Sequence, residues 1–312
     1  MIEILTLISG GTGGPKLLQG LIESISQDEI SVIVNTGEDL KVSGLHVSPD
    51  LDTVVYTLAG IIDDEKWYGI KGDSFSGHEM LQKLGQDEIL KIGDTDRAVK
   101  LYRTLRMENE ATLSQVTEEI CKGLGVRAKV KPMSDDRVET RIITEEGEMS
   151  FHEFWVVEGA EVNVTDVNFL MSDRASPAPG VIETLDESDS IVIGPSNPIT
   201  SLGPILSIKG IRKALERNRE KILAVSPVVG DSPVSGPTGV LMDGMGHEVS
   251  PLGVARIYKD FVGHFMLHEE DEKFSSEIED IGLNVHLEDI LMPDLPKRRE
   301  LSRKILRVLD YQ

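Results

Sequence analysis

Cysteine is nearly absent. Cys121 is the only one in 312 residues, which excludes an intramolecular disulfide and any zinc cluster built on cysteines. Bases are scarce beside acids: 32 Lys and Arg against 54 Asp and Glu leave a net charge of −22. A chain that acidic repels phosphate backbones, so general nucleic-acid binding is not expected. An anionic substrate would have to be met locally, by backbone N–H groups, a few Lys or Arg, or a divalent cation. No apolar run approaches the roughly 20 residues of a membrane helix. Met1-Ile2-Glu3-Ile4-Leu5 lacks the basic region and cleavage site of a signal peptide, and a cytoplasmic protein is expected. Internal repeats and low-complexity segments are also missing.

What is present is globular composition, 39% hydrophobic and 28% charged. The length suits one large α/β unit over residues 1–312, with an accessory lobe within it. Ile2 to Ile8 is a short apolar run, as a buried parallel strand would be. It runs into Ser9-Gly10-Gly11-Thr12-Gly13-Gly14-Pro15-Lys16 and then a helical pattern through Leu17, Leu18, Leu21, Ile22 and Ile25. A second strand is predicted at Ser31–Asn35. Strand, glycine loop, helix and strand open a Rossmann-like, mostly parallel fold. The rhythm returns as a strand at Ser190–Gly194, a helix over Gly203–Glu216 and a strand over Lys221–Ser226. Between them, residues 107–173 read as the accessory lobe: a polar helix over Leu113–Leu124, an alternating β stretch Val138–Thr144, and strand-like residues from Met149 to Val164. A basic helix, Lys297 to Leu309, closes the sequence with an apolar face of Leu301, Ile305 and Leu309. Its cations either lie on a solvated face or line an anion path.

Four glycines directly after a buried strand free successive N–H groups to face an anion at a helix N-terminus. In the G-x-x-x-x-G-K-[ST] frame from Gly10, Pro15 replaces the second glycine and Leu17 the metal-binding hydroxyl, so this is not a P-loop. It does not match G-x-G-x-x-G either, which excludes an ordinary NAD enzyme. Phosphate contacts are assigned to Gly10, Gly11, Thr12, Gly13, Gly14 and Lys16. After the second strand comes His46-Val47-Ser48-Pro49-Asp50-Leu51-Asp52-Thr53. Asp50 and Asp52 either cap the helix that follows or work as a proton acceptor or as Mg²⁺ ligands. Ser196, Asn197 and Ser201 stand in a rigid loop, Gly194 to Ser201, at the end of a strand. A second Pro- and Gly-rich loop spans Ser226 to Pro237. Leu90 to Arg97 mixes bases and acids ahead of a helix over Ala98–Leu105, which surface capping would also explain. His264 and His268 lie at i, i+4 without the glutamate of H-E-x-x-H, so zinc is not expected there.

The ordered set resembles the CofD family of 2-phospho-L-lactate transferases, which act in the biosynthesis of coenzyme F-420. Its members are Gly10 to Lys16, Val34-Asn35-Thr36-Gly37-Glu38-Asp39, His46 to Gly60, Gly93-Asp94-Thr95-Asp96, Ala178 to Glu183, Gly194 to Pro198 and Ser226 to Pro237. The resemblance implies that a ribityl hydroxyl of the deazaflavin precursor FO attacks the lactyl-bearing phosphorus of lactyl-diphospho-guanosine. GMP leaves, with Mg²⁺ as cofactor. Lactyl and enolpyruvyl donors differ by two hydrogens and are not distinguished. The family often has an aromatic residue shortly before Gly93; here Ile89-Leu90-Lys91 stands instead, which makes Lys91 the deazaflavin contact. Glu38 stands where the family commonly has Ala or Asp, a departure expected to change little. Asp50 is expected to hold the deazaflavin hydroxyl or Mg²⁺, with Asp52 second. Asn197, Ser201 and the loop from Ser226 are expected at the guanosine diphosphate moiety. A homodimer is implied by the family and not required by the sequence. The alternative is a nucleotide-sugar-binding regulator of the related gluconeogenesis-factor-like branch, which would bind no deazaflavin. The Pro49-Asp50-Leu51-Asp52 core follows the transferase pattern.

Overall fold

Two apolar faces on one sheet organise the chain. The computed structural model describes residues 3–311. In chain order the strands are β1 (Leu5–Ser9), β2 (Ile30–Val34), β3 (Leu40–Val42), β4 (Leu45–Val47), β5 (Lys129–Pro132), β6 (Glu139–Thr144) and β7 (Gly147–Ser150). There follow β8 (Val164–Leu170), β9 (Ser190–Ile193), β10 (Ile222–Val225), β11 (Val228–Val229), β12 (Ser232–Pro233), β13 (His264–His268) and β14 (Asn284–Glu288). Seven of them form one sheet in the order β5-β2-β1-β9-β10-β13-β14, all parallel. This is the doubly wound order, reversing direction between β1 and β9. The first strand was expected from Ile2; it begins at Leu5, and Ile2 lies outside the described residues.

Alternation along the strands explains both layers. Leu5 and Leu7 of β1 join one core with Val32, Val34, Leu223 and Val225, while Ile8 joins the other with Ile33, Ile193 and Phe265. Helix α1 (Gly13–Leu21) follows the glycine loop and packs against the closing basic helix, Leu295–Val308. Helix α2 (Pro49–Leu58) follows the β3–β4 hairpin; α3 (Ser76–Lys83) and α4 (Asp94–Glu108) come next.

Three expectations are corrected. The predicted helix over 203–216 is two short helices, Gly203–Ser207 and Ile211–Arg217, broken where Gly210 takes a φ of +98°. The strand-like stretch after Met149 is instead a π-helical turn, Glu153–Val157. Its β-branched and aromatic side chains are placed by packing: Phe154 is fully buried while Trp155, Val156 and Val157 face outward. Within residues 107–173, helix Leu113–Gly123 and β5 belong to the main sheet and its cover, whereas β6, β7 and β8 form a separate antiparallel sheet. His264 and His268 sit on β13, and His264 pairs with His286 at 3.0 Å.

Candidate active site

A cavity of about 600 Å³ lies at the carboxyl ends of β1 and β9, where the strand order reverses. Gly10 to Gly13 form one wall and Pro195 to Ser201 another. Both tryptophans of the chain, Trp67 and Trp155, line it.

Thr12 is the N-cap of α1, and its side chain makes no capping bond, so the first-turn N–H groups remain available to a ligand oxygen. Gly11 adopts a φ of +59°, which a side chain would strain. Gly13 is required for another reason: a Cβ there would overlap the carbonyl of Pro195. Gly13→Val should therefore cost stability before it costs ligand, by at least about 1–3 kcal/mol of overpacking. A thermal melt read beside GDP calorimetry checks this. A variant that melts normally but binds no GDP would contradict it.

Gly14 and Lys16 are not brought to the cavity wall. Gly14 packs against Ser9 and Gly194. Lys16 stands 5.7 Å over the Trp67 ring, and Arg298 covers the same ring at 4.7 Å. Burial, then the Arg298 charge, holds the Lys16 ammonium below the usual lysine range. Both cations support the Trp67 wall from behind. Arg298 of the closing basic helix is likewise off the cavity wall: it is buried, bonded to Gln19 at 2.6 Å and to the carbonyl of Pro293 at 3.2 Å.

Asp50 faces the cavity. It lies in the first turn of α2, where it accepts from Asn35 Nδ2 at 3.0 Å and from the Gly11 N–H. Burial pushes its carboxyl up to about 6, against those two hydrogen bonds and with help from the Asp39 charge. A group ionising there is a competent proton acceptor at neutral pH.

Asp52 does not reach the cavity. It pairs with Arg103 of α4 and lies 3.1 Å from Lys100, and both cations are buried. Burial raises its carboxyl, but Arg103 and Lys100 outweigh that and hold it low. The expected role for Asp52 in metal or proton chemistry is corrected to that of an anchor between α2 and α4. Neither acid caps α2, whose N-cap is Ser48. Two helix positions apart, their side chains leave in nearly opposite directions.

Glu38, whose departure from the family pattern was expected to change little, takes the place beside Asp50. It lines the cavity, and burial, then the Asp50 charge, lifts its carboxyl well above the ordinary range, against a hydrogen bond from Thr200. His152 donates Nε2–H to the Glu38 carbonyl at 2.7 Å. The place of Glu38 in the loop that follows β2 was the available signal. Among the described residues no cluster of three or more His, Cys, Asp or Glu is arranged for a metal. Asp50 and Glu38 are hard oxygen donors that suit Mg²⁺ with water and phosphate completing its shell.

The other wall is tied to the glycine loop by Ser196 Oγ, which donates to the Gly10 carbonyl at 2.8 Å. Asn197 Oδ1 accepts from the Ile199 N–H at 2.9 Å, while its Nδ2 is buried without a partner at the cavity wall. That leaves an open donor for a ligand oxygen. Ser201, Pro227 and Ser235 to Thr238 complete this side. The cationic side chains on the described lining are Lys66 and Lys91, the latter 4.3 Å over the Phe75 ring.

Lys91 belongs to a strap, residues 84–93, pinned by Glu88. Burial raises the Glu88 carboxyl, yet hydrogen bonds from Arg97, Ser43 and His78 outweigh it and hold it at about 2. A depressed carboxyl contributes stability above its unfolded value of 4.5 and loses it as pH falls toward 2. Acid melts of Glu88→Gln should lack that part of the loss. Identical acid profiles for the two proteins would contradict the assignment.

The family described as 2-phospho-L-lactate transferase CofD matches residues 5–294. The chain is 49% identical over 308 residues to a protein of Methanopyrus kandleri named 2-phospho-L-lactate transferase, covering 98% of this chain and 97% of that one. Proteins of the same name from Methanocaldococcus jannaschii and Methanococcus maripaludis are each 45% identical, over 98% and 97% of both chains respectively. Among solved structures, a UPF0052-family protein of Bacillus halodurans superposes with a TM-score of 0.69 at 17% identity, covering 98% of this chain and 100% of that one. That likeness shows the fold. Matched by the family over most of its length and by relatives over nearly all of it, the chain belongs to the CofD family of 2-phospho-L-lactate transferases.

Proposed function

We propose that this protein transfers a 2-phospholactyl group from lactyl-diphospho-guanosine to the ribityl hydroxyl of FO and releases GMP. The observation that carries the reading is the placement of Asp50, a cavity-facing carboxylate, beside the uncapped start of α1 in one cavity. The glycine loop, Gly10 to Gly13, binds the diphosphate through the backbone N–H groups at the start of α1, the Gly11 N–H being engaged by Asp50. Asn197 and Ser201, with the loop from Ser226, hold the guanosine side, and Lys91 the deazaflavin side. The hydroxyl oxygen attacks the lactyl-bearing phosphorus, the bond to the GMP oxygen breaks, and Asp50 receives the hydroxyl proton. Mg²⁺, which Asp50 and Glu38 would hold with water and phosphate oxygens, would supply neutralisation of the phosphate charge, which a chain of net charge −22 otherwise opposes. No covalent enzyme intermediate is needed, because phosphoryl transfer rests mainly on alignment and charge.

Equilibrium binding tests the reading. FO should quench the emission of Trp67 and Trp155, and should do so with GDP already bound. A protein that binds a nucleotide-sugar and no deazaflavin would be a sensor, and the transferase reading would fall.

A further inference from the structure

Residues 84–93 cross from α3 to α4 with no helix or strand of their own; 84–87 and Lys91 face solvent, while Ile92 is buried against Val42 and Val47 of the β3–β4 hairpin, with Ile89 and Leu90 packed on that cluster. The Glu88 side chain is 0% exposed as well. Its two oxygens accept a forked pair from Arg97 of α4, at 3.0 and 2.7 Å. His78 Nδ1 of α3 lies 2.8 Å from Oε2. A planar guanidinium matched to both carboxylate oxygens fixes orientation as well as position. Glu88 thus ties the strap to two helices, a polar anchor beside the apolar one that Ile92 makes on the β3–β4 hairpin.

The three residues that follow, Ile89, Leu90 and Lys91, line the cavity. The strap also faces the π-helical turn: Asp87 and Ile89 on one side, Glu153 and Val157 on the other, flank an outer hollow of about 540 Å³. From that turn Trp155, 42% exposed, reaches the cavity wall together with Phe151 just ahead of it. An aliphatic edge opposite an aromatic one makes a slot suited to a flat heteroaromatic ring.

We infer that Glu88 is a positioning residue for the acceptor, holding the Ile89–Lys91 strap at the spacing from Phe151 and Trp155 that the deazaflavin ring requires. Glu88 does not touch the ring; it acts through the strap. The inference rests on the transferase reading for the acceptor's identity and on the strap's anchorage for its mechanism.

The test is equilibrium binding of FO and of GDP to wild type, Glu88→Gln and Arg97→Lys, with thermal melts and steady-state kinetics. Gln keeps the size of Glu88 but cannot accept both arms of the guanidinium; Lys keeps the charge of Arg97 but lacks the fork. In Glu88→Gln the Kd and KM for FO should rise about tenfold, with GDP affinity and kcat at saturating FO within about twofold of wild type. Arg97→Lys should move the same way by less, and it carries the test if Glu88→Gln does not fold. A purely structural role would lower Tm and leave the ratio of FO to GDP affinity alone. Unchanged FO affinity in both folded variants, or equal losses for FO and GDP, overturns the inference while the transferase reading stands. Wild type that binds GDP and no FO overturns both.

Discussion

Asp50→Asn is expected to reduce turnover on the order of 10²–10⁴-fold while leaving the fold intact. Asn keeps the size of the side chain and one carbonyl oxygen, but it is a poor base and a weaker metal ligand. The variant should melt at or slightly above the wild-type temperature, because burial already disfavours the Asp50 charge. The hydrogen bond with Asn35 survives by rotation of the amide. GDP affinity without metal should change little, since it rests on the glycine loop and Asn197. Single-turnover release of GMP by the two proteins, with melts alongside, is the measurement. Wild-type turnover in the variant would move proton acceptance to Glu38, the other carboxylate on the cavity wall.

Asp52→Ala should behave in the opposite way. The Asp52 carboxylate is buried between Arg103 and Lys100. Lys100 would still have Asp96, but Arg103 would keep only a 3.4 Å contact with the His46 carbonyl. Removing one partner of a buried pair leaves an uncompensated charge and costs about 3–5 kcal/mol. Tm should fall by roughly 5–15 °C. Protein that remains folded should keep most of its turnover per molecule, because Asp52 does not line the cavity. Normal stability with lost turnover would return Asp52 to the chemistry.

These two acids show what the sequence could tell and where it stopped. Their spacing and the proline before them marked a ligand-facing segment, and one of them does face the cavity. Which one depended on where α2 begins. The expectation placed both acids in a loop; the helix starts at Pro49, and positions two apart on a helix diverge. The partners that claim Asp52 come from α4, about fifty residues later, and no local pattern announces them.

Four of the seven strands, β1, β2, β9 and β10, were legible because each is a short apolar run buried on both faces, and the glycine loop because it follows the first of them. β5 and β14 mix polar residues into the run, β13 is bounded by histidines, and all three went unread. The reason for Gly13 was not, since the Pro195 carbonyl that excludes a side chain is distant in sequence. The aromatic part of the site was hidden too. Phe151 to Val157 has the composition of a strand, and only packing of Phe154 turns it into a π-helical turn that brings Trp155 to the cavity. Lys16 was assigned to phosphate by its place in the motif, yet it stacks on Trp67, a residue whose position in space the motif does not encode.

One measurement bears most directly on the central claim that a single cavity brings the FO hydroxyl to the donor's phosphorus. Wild-type protein is mixed with FO, Mg²⁺ and lactyl-diphospho-guanosine, quenched, and analysed by mass spectrometry. The account predicts GMP and the phospholactyl-deazaflavin in equal amounts. Neither product from folded protein, or GMP formed without the deazaflavin product, would contradict it.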